Sequence, residues 1–265
     1  TAPTGPQAAA TITPVLQTLK LSTRTGTHPL VITESSRCAE GVGRIYDAIE
    51  QLGEDFVGFD MEWDVPFASG RTPVALLQVS TSNEVVVLFH LARMKLGTPP
   101  TQLISAQDAP KMKLPAALQR LIEDPKLKKV GSNIRGDATR LEKDFDVIVQ
   151  NIVDLATFGC SRRVFEARKS LAAMCELVLH KTLPKDQVVR CSKWSSKISR
   201  DQISYAALDA YASALVYVGI IAASDPIFTP STPVEAGNKV ILYTASHSHR
   251  VAKAEIVTYS AKKFG

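Results

Sequence analysis

The stretch VGFDMEW, residues 57–63, is the segment around which the rest of the chain is organised. Side chains alternate between the two faces of a β-strand, so Asp60 and Glu62 share one face, and the apolar residues next to them point to the other. Two carboxylates on a buried strand would repel each other and lose hydration, a cost that a bound divalent cation would reverse. Two solvated acids at a strand end are the simpler interpretation, and the stretch alone fits both.

Length and composition place the chain among globular proteins. It has 265 residues, of which 45% are hydrophobic and 22% are charged. This is enough for one full α/β domain with a small appendage, and it argues against wholesale disorder. We expect no apolar run of membrane-spanning length. The four cysteines show neither CxxC spacing nor the nearby histidines of a zinc site. We therefore expect free thiols in a reducing, intracellular compartment, nuclear or cytoplasmic.

Positive charge is concentrated in one segment of the chain. Residues 161–200 contain ten Lys or Arg against three acids, while the whole chain carries a net charge of +5, so the remainder is net negative. A basic flank beside an acidic pocket suits a phosphodiester substrate. A solubilising helical face explains the same charge equally well.

The chain divides into three parts by composition. Residues 1–25 are rich in Thr, Ala, Pro and Gly without periodicity, which predicts a flexible lead-in. Residues 26–224 form the predicted α/β domain. In residues 225–265, Pro226, Pro230 and Pro233 mark a linker, followed by a small β extension with strands at 239–243 and 254–259.

Within the α/β part, strands come first and then alternate with helices. Periodicity predicts strands at 28–33, 56–63, 74–80, 84–89, 127–132 and 148–154, and helices at 38–52, 115–123, 136–144, 170–179 and 199–223. Residues 94–114 are predicted to be a long loop. This order predicts a mixed sheet with helices on both faces.

Two helices add polar side chains on faces predicted to be buried. Tyr205 and Asp209 are four residues apart and therefore share a face of the last helix. Asp137 precedes Leu141 by four residues, which places it on the buried stripe of its own helix. Each has an ordinary structural explanation, as a core tyrosine or as an acid stabilised by the helix dipole.

Taken together, these positions supply four inward-facing acids and a phenol from three elements. Oxygen ligands without Cys or His select hard ions such as Mg²⁺ or Mn²⁺. Two such ions can stabilise the attacking and leaving oxygens of an in-line displacement at phosphorus. The residues therefore point to phosphodiester chemistry.

Five motifs, in order, resemble a known family. They are GFDMEW at 58–63, VALLQ at 74–78, LFH at 88–90, RCSKWS at 190–195 and DQISYAALDAYA at 201–212. This combination resembles the DEDDy branch of 3′→5′ exonucleases, which is related to ribonuclease D and includes the Werner-type exonuclease domains. The resemblance covers roughly residues 28–222.

The resemblance implies a ribonuclease-H-like fold, a mixed sheet flanked by helices on both faces. It implies hydrolysis of terminal phosphodiesters of DNA or RNA to nucleoside 5′-monophosphates with two divalent ions, Mg²⁺ or Mn²⁺. It further implies that Asp60, Glu62, Asp137 and Asp209 bind the metals and that Tyr205 orients the attacking water.

Partners follow from the same interpretation. We expect the chain to bind nucleic acid 3′ ends, to bind a protein partner through the C-terminal extension, and not to bind a membrane. Candidates for substrate contact, from their basic, aromatic or neighbouring positions, are Met61, Trp63, Arg162, Arg163, Lys193 and Trp194. For Trp194, a place in the core is an equally good interpretation. The alternative function is a catalytically lapsed nucleic-acid-binding or adaptor domain in a repair or RNA-silencing complex.

Overall fold

The computed structural model describes residues 16–21, 28–65, 71–96, 112–223, 236–237, 239–243 and 250–255. The central feature of these ranges is a six-stranded mixed sheet with strand order β2-β5-β4-β3-β6-β7. Its strands are β2 (Leu30–Ile32), β3 (Phe56–Glu62), β4 (Leu76–Ser80), β5 (Val86–Phe89), β6 (Lys128–Gly131) and β7 (Ile152–Asp154). β3 runs antiparallel to β4 and parallel to β6.

Helices cover both faces of this sheet, as the order of elements predicts. They are α1 (Cys38–Leu52), α2 (Ala116–Glu123), α3 (Ile134–Phe145), α4 (Leu155–Ser161), α5 (Leu171–Leu179), α6 (Gln187–Arg190) and α7 (Arg200–Ala223). Two short strand pairs lie outside the main sheet: β1 (Gln17–Thr18) with β8 (Lys181–Thr182), and β9 (Lys239–Tyr243) with β10 (Arg250–Glu255).

The central strand β3 separates the two halves of the hydrophobic core. Val57, Phe59 and Met61 pack into the cluster formed with α1, α2 and α3. Phe56 packs into the cluster formed with α5 and α7. The alternation predicted from sequence is therefore present, and the acid-bearing face of β3 is the one that α7 covers.

Gly58 is the reason that α7 can lie so close to β3. It occupies the acid-bearing face between Phe56 and Asp60. A Cβ atom here would overlap the carbonyl oxygen of Ala210 and approach the amide nitrogen of Ala214 to 2.8 Å. Both contacts are to helix backbone, which cannot move as a side chain can. Only glycine permits this approach.

We expect Gly58→Ala to lower the free energy of unfolding by about 3 kcal/mol, because overpacking would push α7 off the sheet. The matched control is Gly43→Ala on α1, where an added Cβ meets nothing within 4 Å. Alanine should stabilise that helix by up to about 1 kcal/mol. Urea unfolding of both variants measures the difference. Equal stability of the two variants would contradict the close-approach argument.

The long helix α7 begins with the predicted capping box. The Gln202 amide nitrogen donates to Ser199 Oγ at 3.2 Å, and the Ser199 amide nitrogen donates to Gln202 Oε1 at 2.8 Å. Among the described helices, α7 alone is long and apolar enough to cross a membrane by composition, with a mean hydropathy of 1.7 over a window that is 67% buried. This corrects the expectation that no apolar run approaches that length. Its burial in the core accounts for the composition.

Two other expectations also differ from the structure. Within the predicted lead-in, Gln17–Thr18 pair with β8, because Leu19 is buried in the core and its amide nitrogen donates to the Thr182 carbonyl at 2.8 Å. In the tail, the second strand is β10 rather than residues 254–259. Residues 1–15 and 22–25 of the lead-in, residues 97–111 of the predicted loop at 94–114, and the three linker prolines lie outside the described residues. The domain boundaries stay predictions.

Candidate active site

Three carboxylates from two elements meet at the end of β3. Asp60 and Glu62 lie on the face that α7 covers, and Asp209 extends from α7, where it is only 4% exposed. One carboxylate oxygen from each lies within 4.8 Å of the other two. Strand alternation aligns the first two acids, and the close approach at Gly58 lets the helix supply the third. The result is an all-oxygen cluster of the kind that hard divalent ions require.

Asp137, the fourth predicted acid, lies beside this group and is also buried. It is in the first turn of α3, which starts directly after β6, the parallel neighbour of β3. Asn133, with a φ of 61°, turns the chain into that helix, and its amide nitrogen donates to Asp154 Oδ2 at 2.9 Å. Asp137 does not belong to the 4.8 Å group of three described acids. It is close enough for its charge to raise the pKa of Asp60.

The surroundings of the cluster raise the pKa of both strand acids. Burial, and then the charge of Asp209, raise the pKa of Asp60 well above its ordinary value, and Asp137 and Glu62 add to the rise. Burial and Asp209 also raise the pKa of Glu62 to about 8, while Lys185 opposes that rise. Proton uptake at these acids is the response of a carboxylate cluster that lacks sufficient positive charge.

The two helix acids show the same effect. Burial raises the pKa of Asp137 to about 7 against the opposing charge of Arg140. Burial also raises the pKa of Asp209, and the Lys185 ammonium offsets part of this rise. Burial therefore raises the pKa of all four predicted acids, and at Asp209 the Lys185 ammonium opposes that rise.

Tyr205 lies one turn before Asp209 on the same buried side of α7. Its ring centroid is 6.2 Å from that of Trp194. Burial, and then the charge of Asp209, raise the pKa of Tyr205 above its ordinary value. The phenol consequently keeps its proton at neutral pH.

Two cations that were not selected from the sequence face the cluster. Lys185 Nζ donates to Asp209 Oδ1 at 2.9 Å and to Oδ2 at 2.8 Å. Arg190, at the end of α6, is close enough for its charge to oppose the burial-driven rise in the pKa of Glu62. Both belong to the basic segment 161–200. The charge count therefore identified the segment but did not identify which of its residues face the carboxylates.

The RCSKWS motif is a turn fastened to the sheet from two sides. His90 Nε2 donates to the Trp194 carbonyl oxygen at 2.9 Å, and Trp194 Nε1 donates to the Arg190 carbonyl oxygen at 3.0 Å. The Asp64 carboxylate accepts from the Ser195 amide nitrogen at 2.9 Å and from Ser195 Oγ at 2.5 Å. These bonds hold the turn that contains Arg190 against the end of β3.

Two of the predicted substrate contacts have side chains that lie in the core. Met61 is 3% exposed on the face of β3 opposite to the acids, and Trp194 is 0% exposed. Neither side chain is accessible to a nucleotide. For Trp194, the core interpretation is the correct one.

The predicted contacts at Arg162 and Arg163 stay predictions, and Arg162 lies away from the carboxylate cluster. Arg162 packs over a phenylalanine of α4, whose ring stacks on Tyr217 at 5.2 Å. Tyr217 in turn contacts Phe56 at the start of β3. Asp60 is four residues further along this strand, about 13 Å away. Basic charge in this segment therefore faces more than one part of the surface.

Trp63 and Lys193 stay predictions for substrate contact. Trp63 directly follows Glu62 and is partly exposed, with the Arg140 guanidinium carbon 3.9 Å from the centroid of its ring. Arg140 lies one turn after Asp137, so a cation and an aromatic ring border that acid. Lys193 is exposed next to the buried Trp194.

A family model described as 3′-5′ exonuclease matches residues 42–220. The chain is 35% identical over 165 residues to the bifunctional 3′-5′ exonuclease/ATP-dependent helicase WRN of Mus musculus, covering 62% of this chain and 11% of that protein. It is 30% identical over 171 residues to a 3′-5′ exonuclease of Arabidopsis thaliana, covering 63% and 53%. The chain thus spans about half or less of the length of these curated relatives.

The solved structure of Brucella melitensis NrnC shows the same fold. Brucella melitensis NrnC aligns with a TM-score of 0.50 and 19% identity, covering 66% of this chain and 75% of that chain. The EXD2 exonuclease domain, in crystals soaked in Mn and Mg, aligns with a TM-score of 0.40 and 26% identity, covering 73% and 89%. The six-stranded mixed sheet with flanking helices is accordingly ribonuclease-H-like, as the motifs imply.

Proposed function

The chain belongs to the 3′–5′ exonuclease family whose model matches residues 42–220, and we propose that it hydrolyses the terminal phosphodiester at 3′ ends of DNA or RNA, releasing nucleoside 5′-monophosphates. The observation that carries this proposal is the carboxylate cluster. Asp60, Glu62 and Asp209 converge within 4.8 Å inside the matched region, with Asp137 beside them. A structural role alone gives no reason to bury four mutually repelling acids.

The donor set fits two hard divalent ions, Mg²⁺ or Mn²⁺. Asp60, Glu62 and Asp209 would hold one ion, and Asp60 with Asp137 would hold the other. Bound ions supply stabilisation of charge on the attacking and leaving oxygens of an in-line displacement at phosphorus. The raised pKa values of these acids support this assignment, because proton uptake and cation binding both neutralise the same excess of negative charge.

We assign Tyr205 to positioning, in the manner of the DEDDy branch. Its pKa is raised by burial and by the Asp209 charge, so the phenol is a poor base at neutral pH. As a fixed hydrogen-bonding group one turn from Asp209, it can orient the attacking water. Removal of its hydroxyl should therefore slow the reaction without changing which bond breaks.

Substrate phosphates would meet the cations that border the cluster. Arg190 is held at the site by the turn fastened to Asp64. Arg140 and Trp63 border Asp137 on the other side. A guanidinium beside an aromatic ring suits a phosphate with an adjoining base, and neither group distinguishes DNA from RNA by itself.

The test uses oligonucleotides labelled at the 5′ end, as single and double strands of DNA and RNA, with Mg²⁺ or Mn²⁺. We expect a ladder of products shortened by one nucleotide at a time, release of nucleoside 5′-monophosphates, and complete inhibition by EDTA. The label at the 5′ end distinguishes digestion from the 3′ end, because the shortest labelled products then appear last.

Binding without shortening in either metal would instead support the lapsed nucleic-acid-binding domain. Internal cleavage would contradict the exonuclease assignment. The comparison of the four substrates at equal concentration names the preferred one.

We also propose the extension at 225–265 as the surface for a protein partner. Its hairpin of β9 and β10 is a separate antiparallel pair. An intracellular location is proposed from the four free cysteines. Because the chain spans about half or less of its curated relatives, the partners of the whole protein belong to the same proposal.

A further inference from the structure

The side chain of Lys185 reaches the carboxylate cluster and contacts Asp209. Its ammonium donates to both oxygens of Asp209, at 2.9 and 2.8 Å. It also lies 5.4 Å from the centroid of the Tyr205 ring. The same ammonium thus contacts a proposed metal ligand and the proposed water-orienting residue.

This contact differs from an ordinary surface ion pair in the burial of its two partners. The Asp209 side chain is 6% exposed, whereas that of Lys185 is 40% exposed. The acid has little access to water and needs a cation, while the lysine can satisfy its ammonium in solvent. The pair therefore forms because the buried Asp209 carboxylate requires a counterion. A divalent ion bound at the cluster would displace the lysine ammonium.

We propose that Lys185 is a displaceable counterion: its ammonium neutralises Asp209 when no divalent ion is bound, and on metal binding it moves to the substrate phosphate. The proposal rests on the proposed function. A divalent ion at Asp60, Glu62 and Asp209 would lie next to the ammonium and repel it. A phosphate with its reactive bond at the cluster offers that ammonium a new anionic partner within the reach of one side chain.

The surrounding chain allows the side chain to move while its backbone stays in place. Leu183 is buried in the core on one side. On the other side, Asp186 caps α6, with its Oδ1 accepting from the amide nitrogens of Val188 and Val189 at 2.8 and 3.2 Å. Lys185 itself lies between these two anchors with a flexible four-carbon stem. Only its side-chain torsions need to change.

The decisive measurement is metal binding in the absence of nucleic acid, by calorimetric titration of Mn²⁺ into metal-free protein. We expect Lys185→Met to bind Mn²⁺ about tenfold more tightly than the wild type, because the competing ammonium is gone. Lys185→Arg keeps the charge and a bidentate donor, so it should bind no more tightly than the wild type. Lys169→Met, an exposed lysine of the same basic segment, is the matched control and should match the wild type.

Thermal unfolding gives a second measurement that does not depend on activity. Metal-free Lys185→Met should unfold at a lower temperature than the wild type, and saturating Mn²⁺ should remove the difference. Unchanged Mn²⁺ affinity in Lys185→Met overturns the counterion role.

Hydrolysis at saturating Mn²⁺ tests the transfer to phosphate. We expect Lys185→Met to hydrolyse a single-stranded oligonucleotide at least about tenfold more slowly than Lys169→Met. Equal rates overturn the transfer, whatever the Mn²⁺ affinities are. If the wild type binds Mn²⁺ but hydrolyses none of the four substrates, the proposed function fails, and the binding and unfolding comparisons still decide the counterion role.

Discussion

Asp60→Asn is expected to reduce hydrolysis of a 3′ end by at least about 10³-fold at saturating Mg²⁺. The charges of Asp209, Asp137 and Glu62 all raise the pKa of Asp60 in addition to burial. Asp60 is therefore the one acid proposed to contact both ions. The asparagine side chain has the same shape but no charge, so the variant removes the ligand without leaving a cavity.

The same substitution should make the metal-free protein more stable. Asp60→Asn relieves repulsion among buried acids, so its unfolding temperature in EDTA should exceed that of the wild type. The matched control is Asp47→Asn on α1, in the opposite layer of the fold, which should keep full activity. Activity retained by a folded Asp60→Asn would contradict the site assignment. Loss of activity together with a lower unfolding temperature would indicate damage to the fold instead.

The part of the site that could be predicted from sequence is the part that depends on regular elements. Strand alternation puts Asp60 and Glu62 on one face, and helix periodicity puts Tyr205 and Asp209 on one face of α7. These periods are fixed by backbone geometry, so they do not depend on which distant parts of the chain pack against the element. Alternation also places the Met61 side chain on the face opposite to the acids, where it packs into the core.

The parts that could not be predicted are contacts between distant loops. Lys185 is in a segment between β8 and α6, 24 residues from Asp209, and no period relates the two. Asp64 and Ser195 are 131 residues apart. Residue type is ambiguous in such places: Trp194 is an aromatic residue within a basic motif, and only its burial assigns it to the core. Charge counts locate a segment but not the direction of each side chain.

The last prediction concerns how stability depends on pH. In the folded protein the pKa of Glu62 is raised from 4.5 to about 8 and that of Asp137 from 3.8 to about 7, in both cases chiefly by burial. The folded state therefore holds protons that the unfolded state has released. The stabilisation is fully present below about pH 4 and is lost as the pH rises through about 8. Since each pKa unit corresponds to about 1.4 kcal/mol, each of these two acids, with a rise of roughly 3 pKa units, contributes on the order of 4 kcal/mol to the stability that the metal-free protein loses across this range.

Urea unfolding at pH 5, 6.5 and 8 in EDTA measures this loss, and a parallel series in saturating Mg²⁺ provides the comparison. Divalent ions bind the ionised acids of the folded state, so Mg²⁺ should stabilise the protein more at pH 8 than at pH 5. Asp60→Asn removes one of the interacting charges and should show a smaller dependence on pH in EDTA. Identical pH dependence in EDTA and in Mg²⁺ would mean that the acids do not act together as a cation site. A dependence that Mg²⁺ abolishes ties the raised pKa values of Glu62 and Asp137 to cation binding by these acids, because a cation that they share stabilises their ionised forms together.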